Sequence, residues 1–270
     1  MFIKDLFTFL IGCCFGSFIN VIIYRIPLGK SVVFPFSHCV KCGYKIRWHE
    51  NIPIISWIFL GGRCAKCKEQ ISLIYPIVEL STGFLFAFYN YSFPPRFPPG
   101  GEPIAIVCGW IFISILLTMA ILDIKYLWLP ENICKFGILI SILSSVILTI
   151  EYENLVSNYL IAETIIATFL GYLIFQIISE IGFRIYKKPV MGKGDAKLAA
   201  LIGSWLGLKG LCLSIWLSFF FSGIFVILGI LSRKIKKGQK IPFGSFLSLS
   251  GLVVWYFGND PLTNLIFLGR

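Results

Sequence analysis

The stretch Met191-Gly192-Lys193-Gly194-Asp195-Ala196-Lys197-Leu198 is a charged turn with two glycines between two long apolar segments. It contains one of only four aspartates among the 270 residues of the chain. A second aspartate, Asp123, stands at the end of another apolar segment, in Ala120-Ile121-Leu122-Asp123-Ile124-Lys125. We expect the two carboxylates to meet at one membrane face, and the rest of the chain to hold them there.

The composition is too apolar for a soluble domain. Hydrophobic residues make up 57% of the chain and charged residues only 14%, with a mean hydropathy of +0.85, whereas soluble domains carry about 25% charged residues. The sequence therefore predicts an all-α, polytopic membrane protein. The net charge of +11 arises from basic residues in loops. This pattern indicates membrane topology, with Lys and Arg kept on the cytoplasmic side, rather than nucleic-acid binding.

The hydrophobic pattern predicts about eight transmembrane helices, with both termini outside. Segment 197–208 is short, about 18 Å as a helix at ~1.5 Å per residue, and Lys209-Gly210 breaks the run after it. A seven-span alternative, with 197–231 as one broken helix, would place the basic cluster that begins at Arg233 outside, so we disfavour it. The turn 94–103 and the pair Glu151 and Glu153 are predicted to be external. The predicted spans are 6–23, 74–93, 104–122, 133–150, 159–183, 197–208, 211–231 and 241–257.

Residues 25–73 form the single long hydrophilic loop of the sequence. Eight basic residues against two glutamates predict a cytoplasmic location. The loop contains Cys39-x-x-Cys42 and Cys64-x-x-Cys67, which supply four thiolates for a tetrahedral metal ion, most readily a structural zinc. Four unrelated reduced cysteines are the alternative, and a cytoplasmic location disfavours disulfides. We expect three parts: a first helix (1–24), the zinc loop (25–73) and a core of about seven helices (74–270).

Two polar residues lie in the apolar segments that flank this loop. Asn20 is predicted to make a helix–helix hydrogen bond rather than to take part in catalysis. Glu79, in Tyr75-Pro76-Ile77-Val78-Glu79-Leu80, is either a functional carboxylate or a structural partner near a helix N-terminus, and we favour the structural role slightly.

The residue inventory restricts the available chemistry to carboxylates. The chain has two histidines, both in the cysteine loop, and neither a Gly-x-Ser-x-Gly nor a His-Glu-x-x-His motif. Two nearby aspartates share a proton, so that one acts as base towards water while the other polarises a peptide carbonyl. The alternative for Asp123 and Asp195 is a structural ion pair or a helix cap. Since intramembrane acids are functional by default, we favour catalysis.

Residues around Asp195 are candidates for supporting or binding roles. Gly192 and Gly194 leave the backbone uncovered, so that a substrate strand can approach closely. Lys193 and Lys197 either hold acidic groups of a substrate or act as interfacial cations.

Several blocks of the sequence resemble the type IV leader peptidase family of membrane aspartic proteases, the prepilin peptidases, and together they cover nearly the whole chain. The resemblance implies that Asp123 and Asp195 are the catalytic pair, and that Cys39, Cys42, Cys64 and Cys67 bind zinc as in the larger bacterial members. The matching blocks are "GSFINVIIYRIP", the Cys-x-x-Cys pairs around "ENIPIISWIFLGGRC", "YPIVEL", "DIKYLWLP", "GKGDAKLAALIGSWLG" and "IPFGSFL".

The resemblance also implies the substrate, the partners and the location. Members of the family remove a short basic leader from prepilins and pseudopilins, after a glycine, on the cytoplasmic side of the bacterial inner membrane. Many bacterial members then methylate the new N-terminus with S-adenosylmethionine. Pilus or secretion machinery and membrane lipid are the further partners expected. The sequence departs from the family at Glu131, where aspartate is frequent, and at Pro189-Val190, where a Glu-Gly pair is common.

Two other classes of function stay open on the residues alone. A transporter would carry its acids near the bilayer midplane and would show an internal repeat, and we see neither pattern. A non-enzymatic assembly factor would depend on the zinc loop and not on the aspartates.

Overall fold

The computed structural model describes residues 2–91, 103–151, 156–187, 191–236 and 239–258. Within these ranges the protein is helical and contains no strand beyond two isolated β-bridges in the cysteine loop. The predicted all-α class is therefore confirmed. The chain divides into two compact units, Met1–Asn90 and Tyr91–Arg270. The predicted functional division at residues 24 and 73 stays a prediction.

The first unit contains α1 (Phe2–Arg25), α3 (Ile74–Tyr89) and, between them, the cysteine loop with the short helix α2 (Ile55–Phe59). Helices α1 and α3 approach closely through glycine, because a Cβ atom at Gly16 would lie 2.6 Å from the Cα atom of Glu79. Asn20 Nδ2 donates a hydrogen bond to the carbonyl oxygen of Tyr75 at 3.0 Å. The predicted helix–helix role of Asn20 is confirmed.

The described residues of the second unit form five helices. These are α4 (Pro103–Tyr126), α5 (Glu131–Glu151), α6 (Val156–Tyr186), α7 (Lys193–Leu231) and α8 (Phe243–Phe257). Helices α1, α4, α5, α6 and α7 are long and apolar enough to cross a membrane, and α3 and α8 are shorter apolar helices.

Helix α7 is two helices joined at Gly207, which has φ 72° and ψ −175°. We call residues 193–206 α7a and residues 208–231 α7b. The chain folds back at this point, because a Cβ atom at Gly203 would lie 3.3 Å from Leu211 Cδ2, whereas eight residues of straight helix span about 12 Å. Counted this way, the described residues form eight apolar helical segments, in agreement with the predicted number. The break lies at Gly207 and not at Lys209-Gly210, because Gly207 is the residue with the non-helical backbone.

Helix α7a lies in the core of the second unit. Trp205 is 1% exposed and packs against Phe112 and Trp255, with ring centroids 4.8 and 6.0 Å away. Its indole Nε1 donates to the carbonyl oxygen of Gly137 in α5 at 3.0 Å. The segment that follows Asp195 is therefore enclosed by other helices. The predicted external residues 94–102 and Glu153, and the Pro189-Val190 departure, lie outside the described residues.

Candidate active site

Asp123 lies in the last turn of α4 and is 5% exposed. Its Oδ2 atom accepts a hydrogen bond from the backbone N–H of Ser245 at 2.7 Å, and Gly244 lies next to the same oxygen, since a Cβ atom there would be 3.0 Å from it. The start of α8 thus holds the Asp123 carboxylate in one orientation through a charge-assisted backbone hydrogen bond.

Asp195 is the third residue of α7a and is 8% exposed. Its Oδ2 atom accepts a hydrogen bond from the backbone N–H of Gly192 at 3.2 Å, across the first turn of the helix. An acid in the first turn of a helix also interacts favourably with the helix dipole. The sequence pattern Gly-x-Gly-Asp therefore orients the carboxylate through its own backbone.

The two aspartates are brought together around the side chain of Leu129. A Cβ atom at Gly194 would lie 2.9 Å from Leu129 Cβ, and a Cβ atom at Gly244 would lie 2.8 Å from Leu129 Cδ1 and 3.0 Å from Asp123 Oδ2. Both aspartates therefore lie at the same end of the second unit, next to residues that contact Leu129. That the two carboxylates form a pair at one membrane face stays a prediction. Gly194 and Gly244 permit the approach, since any side chain there would collide with Leu129.

Lys197 is engaged within the protein. Its Nζ atom forms an ion pair with Glu131 Oε2, at the start of α5, and Lys135 Nζ lies 2.8 Å from Glu131 Oε1. The pair connects α7a to α5 within a few residues of both Asp195 and Leu129. The ion pair with Glu131 matches neither a substrate contact nor an interfacial cation for Lys197, and it supports instead a role in holding the motif. Glu131, which stands where the family frequently has aspartate, is stabilised in this fold because its carboxylate pairs with both Lys135 and Lys197.

Basic residues surround the end of the second unit that carries the aspartates. This end comprises the end of α4, the starts of α5, α7a and α8, and the segments next to them. By contrast, Lys209 lies beside the fold at Gly207, after the far end of α7a. The cations at the aspartate end are Lys125, Lys135, Arg184, Lys187, Lys193, Lys197, Arg233, Lys234, Lys236 and Lys240.

Glu79 belongs to the first unit and is 7% exposed. Its Oε2 atom accepts a hydrogen bond from the backbone N–H of Ile54 at 2.7 Å. The side chain thus attaches the cysteine loop to α3. This contact agrees with the structural role that we favoured for Glu79.

The four loop cysteines form a cluster. The Sγ atoms of Cys39, Cys42, Cys64 and Cys67 all lie within 4.8 Å of one another, and the Cys39 and Cys67 sulfurs are 3.8 Å apart. Tetrahedral zinc with Zn–S bonds of about 2.3 Å requires sulfur separations of about 3.8 Å. The four thiols therefore fit a structural zinc ion, as the spacing predicts.

Each Cys-x-x-Cys pair has the same backbone pattern. The N–H of the first cysteine donates to the carbonyl five residues on, Cys39 to Tyr44 and Cys64 to Glu69, at 2.9 and 2.8 Å. The residue after the second cysteine has positive φ, 69° at Gly43 and 60° at Lys68. Backbone N–H groups of Cys67 and Lys66 lower the pKa of the Cys64 thiol to about 7, whereas, against the backbone N–H of Glu69, burial and the neighbouring thiols raise the pKa of Cys67 to about 12. The thiolate is the form that binds metal.

Sequence reasoning did not identify Leu129, Gly244 and Ser245 as parts of the site. The stretches "DIKYLWLP" and "IPFGSFL" contain them, but on the sequence alone these stretches indicate only the resemblance to the family. The available signal was the glycine at the start of α8, where a small residue permits close approach to another element.

Comparisons with known proteins match both parts of the chain. Residues 10–93 match the bacterial peptidase A24 N-terminal domain, and residues 110–227 match the type IV leader peptidase family. A protein named prepilin leader peptidase/N-methyltransferase from Klebsiella pneumoniae is 35% identical, over 78% of this chain and 88% of its own length.

Two further relatives carry the same name. That from Pseudomonas aeruginosa is 29% identical, over 97% of this chain and 93% of its own length. That from Myxococcus xanthus is 33% identical over 76% of this chain, and the match spans 57% of its own length. No solved structure matches the chain.

Proposed function

The chain belongs to the type IV leader peptidase family, and from this membership we propose that it removes the leader peptide of type IV prepilins or pseudopilins and N-methylates the new N-terminus. The enzyme is a multi-pass membrane protein of bacterial inner-membrane type. The observation that carries the peptidase half of the proposal is the enclosure of two buried aspartates around Leu129.

In this proposal Asp123 and Asp195 are the catalytic pair. Two carboxylates whose charges interact cannot both ionise easily, so the pair retains one proton. The ionised carboxylate removes a proton from water, and the hydroxyl oxygen bonds to the carbonyl carbon of the scissile peptide. The protonated carboxyl polarises the carbonyl oxygen. A proton then passes to the leaving nitrogen as the C–N bond breaks.

The surrounding residues keep the pair in place. The backbone N–H of Ser245 orients Asp123, and that of Gly192 orients Asp195. Gly192 is exposed, so its backbone offers a surface that an extended substrate could approach. The Lys197–Glu131 pair acts as support for the motif.

We further propose that the active site opens at the cytoplasmic face. The basic residues at the aspartate end of the second unit support this orientation, since Lys and Arg concentrate on the cytoplasmic side of a membrane protein. A short basic leader on the substrate would then be presented from the same side. Pilus or secretion machinery, which consumes the processed subunit, is the expected partner.

The test is cleavage of a purified prepilin by the purified full chain, read by mass spectrometry of the substrate N-terminus. Asp123→Asn and Asp195→Asn should each lower the cleavage rate by about 100-fold or more, because each removes one member of an acid–base pair. Asp5→Asn is the matched control, since Asp5 lies in the first unit and accepts a hydrogen bond from Asn90. Full processing by either active-site variant would refute the assignment.

A further inference from the structure

A cavity of about 330 Å³ lies inside the first unit, between α1 and the cysteine loop. One wall is a stripe of α1 that contains Phe18, Val21 and Arg25, and the opposite wall comes from residues 32–37 of the loop. Pockets that bind small organic molecules have volumes of about 300–1,000 Å³, with mostly apolar walls and a few convergent polar groups. This cavity has the size and the lining of a ligand site.

Arg25 is a buried cation without an anionic partner. It is 6% exposed, and its Nη1 and Nη2 atoms donate to the carbonyl oxygens of Ser31, Val32 and Phe36. No carboxylate of the described residues lies within ion-pair distance of it. A guanidinium has five N–H donors, so these three bonds leave Nε–H and one Nη2–H for an acceptor. A buried, unneutralised cation is costly, and an oxyanion in the cavity would remove that cost.

A buried acid holds the loop segment next to the cavity. Glu79 accepts a hydrogen bond from the backbone N–H of Ile54, and the neighbouring Pro53 lines the cavity. The loop segment that Glu79 holds is strained, because Ile54, a β-branched residue, has φ 63° and ψ −54°. Strained backbone of this kind persists where surrounding structure enforces it, and it is concentrated at functional sites.

We propose that this cavity is the binding site for S-adenosylmethionine, with the α-carboxylate of the methyl donor held by Arg25. The anionic carboxylate of this ligand complements Arg25, the buried cation of the cavity that has no anionic partner among the described residues. Phe18 and Phe36 on the walls offer flat aromatic surfaces to the adenine. The inference rests on the N-methyltransferase half of the proposed function.

The first experiment is equilibrium binding of tritiated S-adenosylmethionine to the purified, zinc-loaded full chain. Arg25→Leu should weaken binding by about 10- to 100-fold, the loss expected for a hydrogen-bonded charged contact. Arg47→Leu is the matched control, since Arg47 is exposed in the same loop and should bind as the wild type does. Unchanged affinity in Arg25→Leu would overturn the proposal.

Arg25 also connects the loop segments, so Arg25→Leu could unfold the loop. Bound zinc, measured on each variant, reports whether the loop is intact. If zinc is lost, Val21→Trp decides the question by filling the cavity without removing Arg25, with Leu10→Trp, exposed on α1, as its control. Loss of binding in Val21→Trp alone supports the site, and equal binding in both variants rejects it.

The remaining outcomes separate this inference from the proposed function. If the wild type methylates a cleaved prepilin but the cavity variants bind the donor normally, the donor site is elsewhere and the inference alone fails. If the wild type neither binds the donor nor methylates, the methyltransferase half of the function fails as well. If native mass spectrometry finds an anionic phospholipid that only Arg25→Leu releases, while donor binding is unaffected, the occupant is lipid and the proposal is overturned.

Discussion

Gly244 is a position where the site has little room for a side chain. A methyl group there would lie 2.8 Å from Leu129 Cδ1 and 3.0 Å from Asp123 Oδ2. The next residue, Ser245, donates its backbone N–H to the same carboxylate oxygen. A substitution at Gly244 therefore acts on the geometry of the Asp123 carboxylate and leaves its identity unchanged.

We predict that Gly244→Ala lowers the rate of leader cleavage by about 10- to 100-fold, the effect of a displacement of about 1 Å at a catalytic group. The measurement is the initial rate on a purified prepilin. Gly223→Ala, in α7b, is the control: nothing lies within 4 Å of its added methyl group, and alanine is the better helix former. Equal rates in the two variants would contradict the proposed role of the glycine.

The residue scale also shows where sequence reasoning succeeds. Asp123 and Asp195 could be identified because acids are rare in this chain and each stands at the end of an apolar segment. Ser245 and Gly244 could not, because their contact with Asp123 joins positions 122 residues apart and depends on the packing of α8 against α4. A backbone N–H donor cannot be recognised from the sequence, because every residue except proline has one whatever its side chain.

At the scale of elements, the break in α7 makes the arrangement of the site possible. A straight helix of 39 residues would be about 58 Å long, far more than a bilayer requires. The fold at Gly207 returns the chain, so that α8 can begin beside the residues where α7a begins. Glu163 of α6 supports the break, because its Oε1 atom accepts a hydrogen bond from the otherwise unpaired backbone N–H of Leu208 at 3.2 Å.

Gly207→Ala should destabilise the protein by about 1–3 kcal/mol, because the backbone conformation at φ 72° and ψ −175° is strained for any residue with a Cβ atom. Thermal unfolding in detergent, followed by tryptophan fluorescence, measures the shift. The same substitution at Gly223, inside α7b, should leave the midpoint unchanged or raise it. An unchanged midpoint for Gly207→Ala would mean that the chain can turn here without glycine.

The ion pair between α5 and α7a allows its two possible roles to be distinguished. If Lys197 acts only by holding Glu131, then the double variant Lys197→Gln/Glu131→Gln should lower cleavage no further than Glu131→Gln alone, because Glu131→Gln already removes the contact with Lys197 as well as that with Lys135. A lysine that bound substrate would make Lys197→Gln, but not Glu131→Gln, raise KM. The steady-state kinetics of the three variants provide the comparison.

Element boundaries were predictable to within a few residues, but the exact break was not. The sequence has Gly203, Gly207 and Gly210 in the same region. All three lack a side chain, so each could adopt a non-helical backbone conformation. Only tertiary packing selects Gly207 as the residue that leaves the helical conformation, since Gly203 is needed where α7a meets α6.

At the scale of the whole molecule, the first unit contains little hydrophobic core within its long cysteine loop. Trp48, Ile58 and Phe59 are exposed by 82%, 63% and 87%, respectively. The loop instead depends on local hydrogen bonds and on the cysteine cluster. Small units of this kind commonly require a metal to fold, because the free energy of metal binding contributes directly to folding.

Removal of zinc by a strong chelator should therefore lower the thermal midpoint of the first unit, and added zinc should restore it. A ligand present at about 1,000 times its Kd stabilises the folded state by about 4 kcal/mol. Cys42→Ser should reproduce the effect of the chelator, whereas Cys212→Ser, at another exposed cysteine outside the cluster, should not. Metal analysis that finds less than one zinc per wild-type chain under reducing conditions would contradict the site.

The number of apolar segments and the presence of a cysteine cluster could be predicted from the sequence, because hydrophobic runs and the Cys-x-x-Cys spacing are local patterns. The association of α3 with α1 in one compact unit could not. It depends on the match of Gly12 and Gly16 with the backbone of α3, a contact between distant positions that hydropathy does not encode.

The enclosure of α7a has a consequence for how the enzyme responds to the lipid around it. A lipid-facing helix adjusts its tilt to the hydrophobic thickness of the bilayer, and its polar ends move with that adjustment. Helix α7a is only about 21 Å long and contacts other helices through side chains such as Leu198, Leu201 and Trp205, all at most 1% exposed. The depth of Asp195 is therefore set by protein neighbours, and the cleavage chemistry is insulated from variation in membrane thickness.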